Sequence, residues 1–356
     1  LHVSTGDDRG AYSGAYRLHR NLIEAGHESR MLVGHKVTDD PFVFAPSAWA
    51  QRLRLLGQKA LSLISMLLFG PEEQRARIFK WSLPLVRLGW VPGHIKSFEP
   101  HLIIVYHVAD FLSEAQLANL CGHYRAPVVF YLMDMGMLTG ACHYAWSCGG
   151  YRSRCIECPA TTSRLVRGLV ALKWQSKDRH YRRVQPAIVS GSEMLDEQVR
   201  ESELCRIYIR HKILMGVSSD LYHPSHRSEA RQLFGLKPDD LVFYFGAQNV
   251  DDRRKGFSYL VDALQQLNDL LSESARERIV LITVGDRTGV GRYLLPFRHV
   301  HHGYIADPLT FSKTYAAADL FICPSVQDAG PMMINESMMS GTPVASFDMG
   351  VAKDLV

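Results

Sequence analysis

The chain has 356 residues, room for two domains of ordinary size, and its 47% hydrophobic and 21% charged residues make a globular composition. No apolar run reaches the roughly 18–20 residues that a helical membrane span requires. A formal net charge of +4, without any reader motif, argues against a nucleic-acid partner.

In chain order, LHVS is a short apolar run followed by the turn-like TGDDRGAYSG. GAYRLHRNLIEAG then places apolar residues at helical spacing and ends in Gly, a usual helix stop. SRMLVG reads as the next strand, so the chain opens strand–loop–helix–strand, the signature of a parallel sheet. LHVSTG reads as a strand already in progress rather than a secretory signal, so a few residues are expected to precede it. The unit recurs as HLIIVYH, FLSEAQLANLCGHY and PVVFYLMD, and again as AIVSGS, SEMLDEQVRES and HKILMG.

A polar segment punctuated by Pro and Gly, VSSDLYHPSHRSEARQLFGLKPDD, reads as a linker with an entry helix. A second alternation follows: LVFYFGA, GFSYLVDALQQLNDLL, RIVLITVG, HVHHGYI, PLTFSKTYAAA, DLFICPS, MMINESMMSG and TPVASF. The expectation is two doubly wound α/β domains, 1–215 and 216–356, with ligands outside the C-terminal strand ends. The chain stops at KDLV just after a strand-like run, so the second domain is expected to continue beyond it.

Residues 1–215 carry 27 Lys and Arg against 19 Asp and Glu, a net +8, whereas residues 216–356 carry 13 against 17, a net −4. A basic N-terminal half suits an anionic surface or substrate; ordinary uneven surface charge is the plain alternative. The cysteines number seven: Cys121, Cys142, Cys148, Cys155, Cys158, Cys205 and Cys323. An odd count without a signal peptide favours a reducing compartment.

Asp328 and Glu336 stand eight residues apart in QDAGPMMINESMMSG, between two apolar runs. With DDRGAYSGAYRLHRNLIEAGH, IIVYHV, LTGACHY, VSGSEML, MGVSSDLYHP, GAQNVDDRRKGFSYLVDAL and YAAADLFICPS, this stretch resembles the retaining glycosyltransferases of family four, which have the GT-B fold of two Rossmann-like domains facing a cleft. The resemblance covers nearly the whole chain. Its most specific element is the pair of acids separated by seven residues, with Asp328 at the usual first Glu and Glu336 at the second. TGACHY and RRKGF are similar to the subgroup that builds bacterial cell-surface polysaccharides.

The resemblance implies a metal-independent enzyme that moves a sugar from a nucleotide-diphosphate donor to a saccharide, lipid-linked, on a cytoplasmic chain that sits on the inner face of the membrane. The C-terminal domain would hold the donor, the N-terminal domain the acceptor, and the cleft would close on both. Glu336 would bind the ribose and Asp328 the donor sugar, because a carboxylate accepts two hydrogen bonds from neighbouring hydroxyls. Gly330, Met332 and Met333 would present helix N-terminal amides to the diphosphate or sugar. Lys255 would stabilise the leaving diphosphate. Arg254 would replace the Arg that the family places after a Gly, here Gly246, where this chain reads Ala-Gln-Asn. Gly10 would border the phosphates, and Tyr304 and Ile305 would pass the base.

His107 follows a strand end where the family often has His, and His143 sits in ACHY and matches the subgroup; a structural role is the plain alternative for each. Asp134 would orient the acceptor or take its proton. The subgroup's LHD reads LMD here, so Met133 replaces a His thought to contact the transferred sugar, and Met can neither donate a hydrogen bond nor shuttle a proton. That departure, with Asp for Glu at 328, keeps a non-catalytic scaffold that binds nucleotide-sugar or assists a partner transferase as the alternative. Plainer readings stand beside the site as well: Asp328 as a helix cap, RRKG as a solvated basic turn, and DDRGAYSG as an ordinary turn.

Cys142, Cys148, Cys155 and Cys158 form C-x5-C-x6-C-x2-C. Four thiolates ending in CxxC suit a structural zinc site; free thiols and disulfides are the other readings. Two basic apolar segments, 50–70 and 164–183, suit either an anionic membrane surface or a buried helix with a basic rim.

Overall fold

Short runs of apolar residues without alternation, such as Val128–Leu132 and Ile279–Gly285, fit strands covered on both faces, and helices supply that cover here. The structure, a computed structural model, describes residues 1–8, 10–52, 56–57, 93–109, 111–285 and 293–356. Most of the 50–70 segment, including Arg54 and Lys59, lies outside them. The chain divides into two compact units, Leu1–Leu214 and Met215–Val356.

In the first unit the strands are β1 (His2–Gly6), β2 (Met31–His35), β3 (Val43–Phe44), β4 (Ile103–Val105), β5 (Val128–Leu132), β6 (Ala187–Ser190) and β7 (Arg210–Lys212). They form one parallel sheet in the order β3-β2-β1-β4-β5-β6-β7. β1 therefore lies between β2 and β4, and the winding reverses beside it. The expected strand in HKILMG is shifted: β7 ends at Lys212, all three of its residues are exposed, and Ile213 is 52% exposed. An edge strand paired on one side only does not bury its apolar tail.

The helix Glu114–Tyr124 starts in a reciprocal capping box between Ser113 and Gln116. The helix Arg164–Val184 turns Val166, Val170, Trp174, Lys177 and Tyr181 inward, a stripe at helical spacing. Its other side exposes Leu165 and Leu172 among arginines.

In the second unit, β8 (Leu241–Ala247), β9 (Ile279–Gly285), β10 (Arg298–His302), β11 (Leu320–Cys323) and β12 (Val344–Ser346) make a parallel sheet in the order β10-β9-β8-β11-β12. Here the reversal falls between β8 and β11. Phe245, Phe257, Leu260, Leu264 and Leu281 form a core under the helix Phe257–Leu270. Gly285 is confined by its surroundings: φ is +127°, and a Cβ there would stand 1.8 Å from the Ala247 carbonyl oxygen. A six-residue helix, Glu273–Arg278, has no apolar period and was not anticipated. Among the described residues no helix is long and apolar enough to cross a membrane.

Candidate active site

Each sheet gathers polar residues where its winding reverses, outside the C-terminal strand ends. This is the position at which open α/β sheets hold ligands.

In the second unit, the segment after β8 forms a short turn, Arg253–Lys255, capped by Asp252. Gly256 follows with φ +65°, and a Cβ there would meet the Pro324 carbonyl oxygen at 1.8 Å, so only glycine lets this turn lie against the end of β11. The Val326 amide donates to the Arg254 carbonyl at 2.8 Å and fastens the two segments. The result is that Lys255 Nζ donates to Asp328 Oδ2 at 2.6 Å. Burial would raise the Asp328 carboxyl, but the Lys255 charge and hydrogen bond, Arg254 and the Gly330 amide together hold it below its ordinary value. Asp328 is therefore a buried carboxylate with a cation against it.

The helix-cap reading of Asp328 fails. The helix is Met332–Met339, its capping position is Pro331, and Asp328 Oδ1 instead receives the Gly330 amide at 3.4 Å. Glu336 lies inside that helix, 5% exposed, and its Oε2 accepts the Tyr315 hydroxyl at 2.8 Å. Tyr315 is fully buried; burial and then the Glu336 charge push its phenol well above the ordinary range, so it stays a donor. Met333 closes on Gly246, where a Cβ would come within 2.5 Å of Met333 Cε. Met332 and Met333 are half-buried at the helix start, Tyr304 is 58% exposed and Ile305 half-buried in the loop after β10.

Arg254 is held differently from Lys255. Its guanidinium pairs with Asp252 at 2.5 Å and reaches the Gln327 carbonyl at 3.4 Å. The nearby Asp252 takes up the charge that a leaving group would otherwise meet.

In the first unit, Gly10 adopts φ +52° just before the first helix, a backbone need, because a Cβ there would touch nothing within 4 Å. Asp7 is a pin rather than a ligand: its carboxylate accepts the Val37 and Thr38 amides and the Thr38 hydroxyl. His107 stands two residues beyond β4, and its ring lies 5.8 Å from that of Tyr12. Asp134, two residues beyond β5, binds two histidines with one oxygen: His107 Nδ1 at 2.9 Å and His143 Nδ1 at 2.6 Å meet its Oδ2. Its Oδ1 accepts the Gly136 amide at 2.6 Å. Burial would raise the Asp134 carboxyl, but the His143 and His107 charges and hydrogen bonds outweigh it and hold the group well below its ordinary value. An ionised carboxylate only accepts, so both rings carry a proton on Nδ1. With its oxygens so engaged, Asp134 fits the positioning role better than that of a proton acceptor.

These three residues are also the cluster, among the described residues, whose potential metal-binding atoms lie within 4.8 Å of one another. They line a pocket with Met133, Tyr106, Lys173 and Lys177. Lys177 was not anticipated there. Its buried Nζ donates to the carbonyls of Gly136 at 2.5 Å and Thr139 at 2.8 Å, so it clamps the loop that carries His143. Cys142, Cys148, Cys155 and Cys158 are not joined in disulfides and do not form a cluster at that 4.8 Å spacing, so the expected zinc ligands are not preassembled.

Residues 239–356 match the family described as Glycosyl transferases group 1. A curated relative, D-inositol 3-phosphate glycosyltransferase 2 of Catenulispora acidiphila, is 29% identical over 167 residues, 42% of this chain and 38% of that protein. The alignment thus spans well under half of the relative's length. Among solved structures, WaaG, a glycosyltransferase involved in lipopolysaccharide biosynthesis, superposes with a TM-score of 0.59 at 14% identity, covering 99% of this chain and 82% of that one. Sucrose-phosphate synthase from Thermosynechococcus elongatus gives 0.56 at 16% identity, covering 98% and 81%. Anabaena Alr3699/HepE, solved in complex with UDP and glucose, gives 0.55 at 17% identity, covering 100% and 83%. The chain has the GT-B fold of these glycosyltransferases, and its residues 239–356 match a Glycosyl transferases group 1 domain.

Proposed function

We propose that the protein is a retaining glycosyltransferase that moves a sugar from a nucleotide-diphosphate donor to a saccharide hydroxyl, without a catalytic metal. The Lys255–Asp328 pair carries this reading. A half-buried cation against a buried carboxylate, at the winding reversal of the Met215–Val356 unit, suits the two ends of an activated sugar. Asp328 accepts hydroxyls of the transferred sugar, and Lys255 stabilises the charge that grows on the diphosphate as the bond to the sugar breaks. Amides at Gly330, Met332 and Met333 assist, and Glu336 receives the ribose hydroxyls with its geometry set by Tyr315. Gly10, Gly246, Tyr304 and Ile305 border the nucleotide.

The acceptor is assigned to the Leu1–Leu214 unit, with His107 as the contact and Asp134 and His143 as its support. The leaving phosphate takes the acceptor proton on the same face of the sugar, which gives retention and makes the loss of a His at 133 tolerable. The acceptor is lipid-linked, at the inner face of a membrane, and serves surface polysaccharide or glycolipid synthesis. The basic helix Arg164–Val184, with Leu165 66% and Leu172 60% exposed, supports that assignment. That UDP and UDP-glucose occupy Anabaena Alr3699/HepE supports a nucleotide-sugar donor.

Transfer assays with a panel of nucleotide-sugars and saccharide acceptors, with the product anomer read by NMR, test the reading. Product with the donor's anomeric configuration is expected. Met133 and the engaged Arg254 favour one alternative, a scaffold that binds nucleotide-sugar without turnover. Binding with no transfer or donor hydrolysis on any acceptor would establish it.

A further inference from the structure

The loop from Thr139 to Ala160 is long, lacks regular structure except for one short turn at Gly150–Arg152, and lies over the helix Arg164–Val184. Loops of this length inside a compact unit require something to hold them. Four of the chain's seven cysteines are in it, and all four, Cys142, Cys148, Cys155 and Cys158, line a single small cavity, closed by Tyr151 and Val170. Four cysteines of one loop lining one void is the first observation.

The second is that backbone donors already point at sulfur. The Gly140 amide donates to Cys155 Sγ at 3.3 Å, and the Gly150 amide donates to Cys148 Sγ at 3.3 Å. Amide donors stabilise a thiolate in the same way that they stabilise any anion. The close fit is enforced by glycine: a Cβ on Gly140 would meet Cys155 Cβ at 3.1 Å, and one on Gly150 would meet Cys148 Sγ at 3.3 Å. Cys155 opens the CxxC in the left-handed region, with φ +51°.

The third is charge. Four thiolates around a divalent cation carry two net negative charges, and a buried positive group offsets them. Lys177 is buried and is hydrogen-bonded to the carbonyl of Thr139 at the mouth of the loop.

We propose that Cys142, Cys148, Cys155 and Cys158 form a tetrahedral zinc site that fastens this loop. A zinc–sulfur bond of about 2.3 Å sets the four sulfurs about 3.8 Å apart. Among the described residues no three of these sulfurs lie within 4.8 Å of one another, and rotation about χ1 moves a sulfur without moving the backbone. Each cysteine gives up its thiol proton to solvent as its Zn–S bond forms, and no redox change is involved. Cys142 precedes His143, so the ion also anchors the histidine that meets Asp134 at 2.6 Å. The site is separate from the proposed donor site and stands or falls without it.

The test is elemental analysis of the full chain purified without added metal, together with the absorption spectrum after cobalt replaces zinc. We expect one zinc per chain, sulfur-to-cobalt charge-transfer bands, and intense tetrahedral bands in the visible. Cys155→Ser and Cys158→Ser should lose the metal, and His107→Ala should keep it. Overturning results are a metal content near nil with four thiols titrating by Ellman's reagent, thiols that appear only after reduction, or a bound metal that survives Cys158→Ser and leaves with His107→Ala. Because the cobalt spectrum is read on the unmodified chain, the test survives a variant that fails to fold.

Discussion

Lys255 and Asp328, 73 residues apart, meet at 2.6 Å because Gly256 lets the turn after β8 press against the end of β11. The pair makes a pH prediction. Asp328 is held below the carboxyl's ordinary 3.8, so its contribution to stability is complete above about pH 3.8 and is lost as the pH falls through the lower folded value. Lys255→Met removes the strongest lowering influence and leaves burial, which raises the carboxyl. The variant should lose about 1–3 kcal/mol at neutral pH through an unpaired buried carboxylate, and that deficit should shrink as the pH falls and the carboxyl takes up its proton. Thermal melts from pH 3 to 7 measure this, and a deficit that stays the same at every pH would refute it.

Gly256 gives a second prediction. Alanine there faces a left-handed backbone and a carbonyl oxygen 1.8 Å from its Cβ, so the turn must move. Gly256→Ala should cost about 2 kcal/mol or more in stability, of which about 1–2 kcal/mol is the left-handed backbone itself. It should also lower kcat/KM for transfer through displacement of Lys255. Gly10→Ala, with only the backbone need and no close neighbour, should cost less. Denaturant titration of both variants ranks them.

Lys177 gives a third. Burial, aided by Lys173, pulls its ammonium from 10.5 down to about 8. The unfolded chain therefore binds more protons than the folded one between about pH 8 and 10.5, so this group makes stability rise with pH across that window. Below about pH 8 both states hold the proton, and the cost of burying the charge is present in full. In the metal-free chain Lys177→Met should remove the rise, and leave the Gly136 and Thr139 carbonyls to be satisfied otherwise. Melting temperatures at several pH values, wild type against variant, read the difference; equal slopes would contradict it.

Much of the architecture was legible because parallel strands covered on both faces are unbroken apolar runs: LVFYFGA and RIVLITVG could hardly be anything else at that length. What escaped is short or polar. β3 has two residues and exists through its pairing with β2, and Glu273–Arg278 is a helix with no apolar face. In the site, acid spacing picked out Asp328 and Glu336, yet it carries no information on Lys255 meeting one and Tyr315 the other, since both are tertiary contacts. Arg254 is expected to stand in for the family's Arg, and nothing in RRKG says that Asp252, two residues earlier, folds back onto it. Lys177 was read as one of seven basic residues on a helix. The pattern Val166, Val170, Trp174, Lys177, Tyr181 held the signal: helical spacing places that lysine in the buried stripe.

The central claim is that the Met215–Val356 unit binds an activated sugar through Lys255, Asp328 and Glu336. Its most direct test is a thermal-shift titration of the chain with nucleoside diphosphates and their sugars, wild type beside Glu336→Gln and Lys255→Met, since a ligand that binds only the folded state raises the melting temperature. The account predicts that at least one nucleoside diphosphate raises it in the wild type, that its sugar does so at least as strongly, and that both variants lose roughly tenfold or more in affinity, about 1.4 kcal/mol. No shift with any nucleotide, or a shift that both variants retain in full, would contradict it.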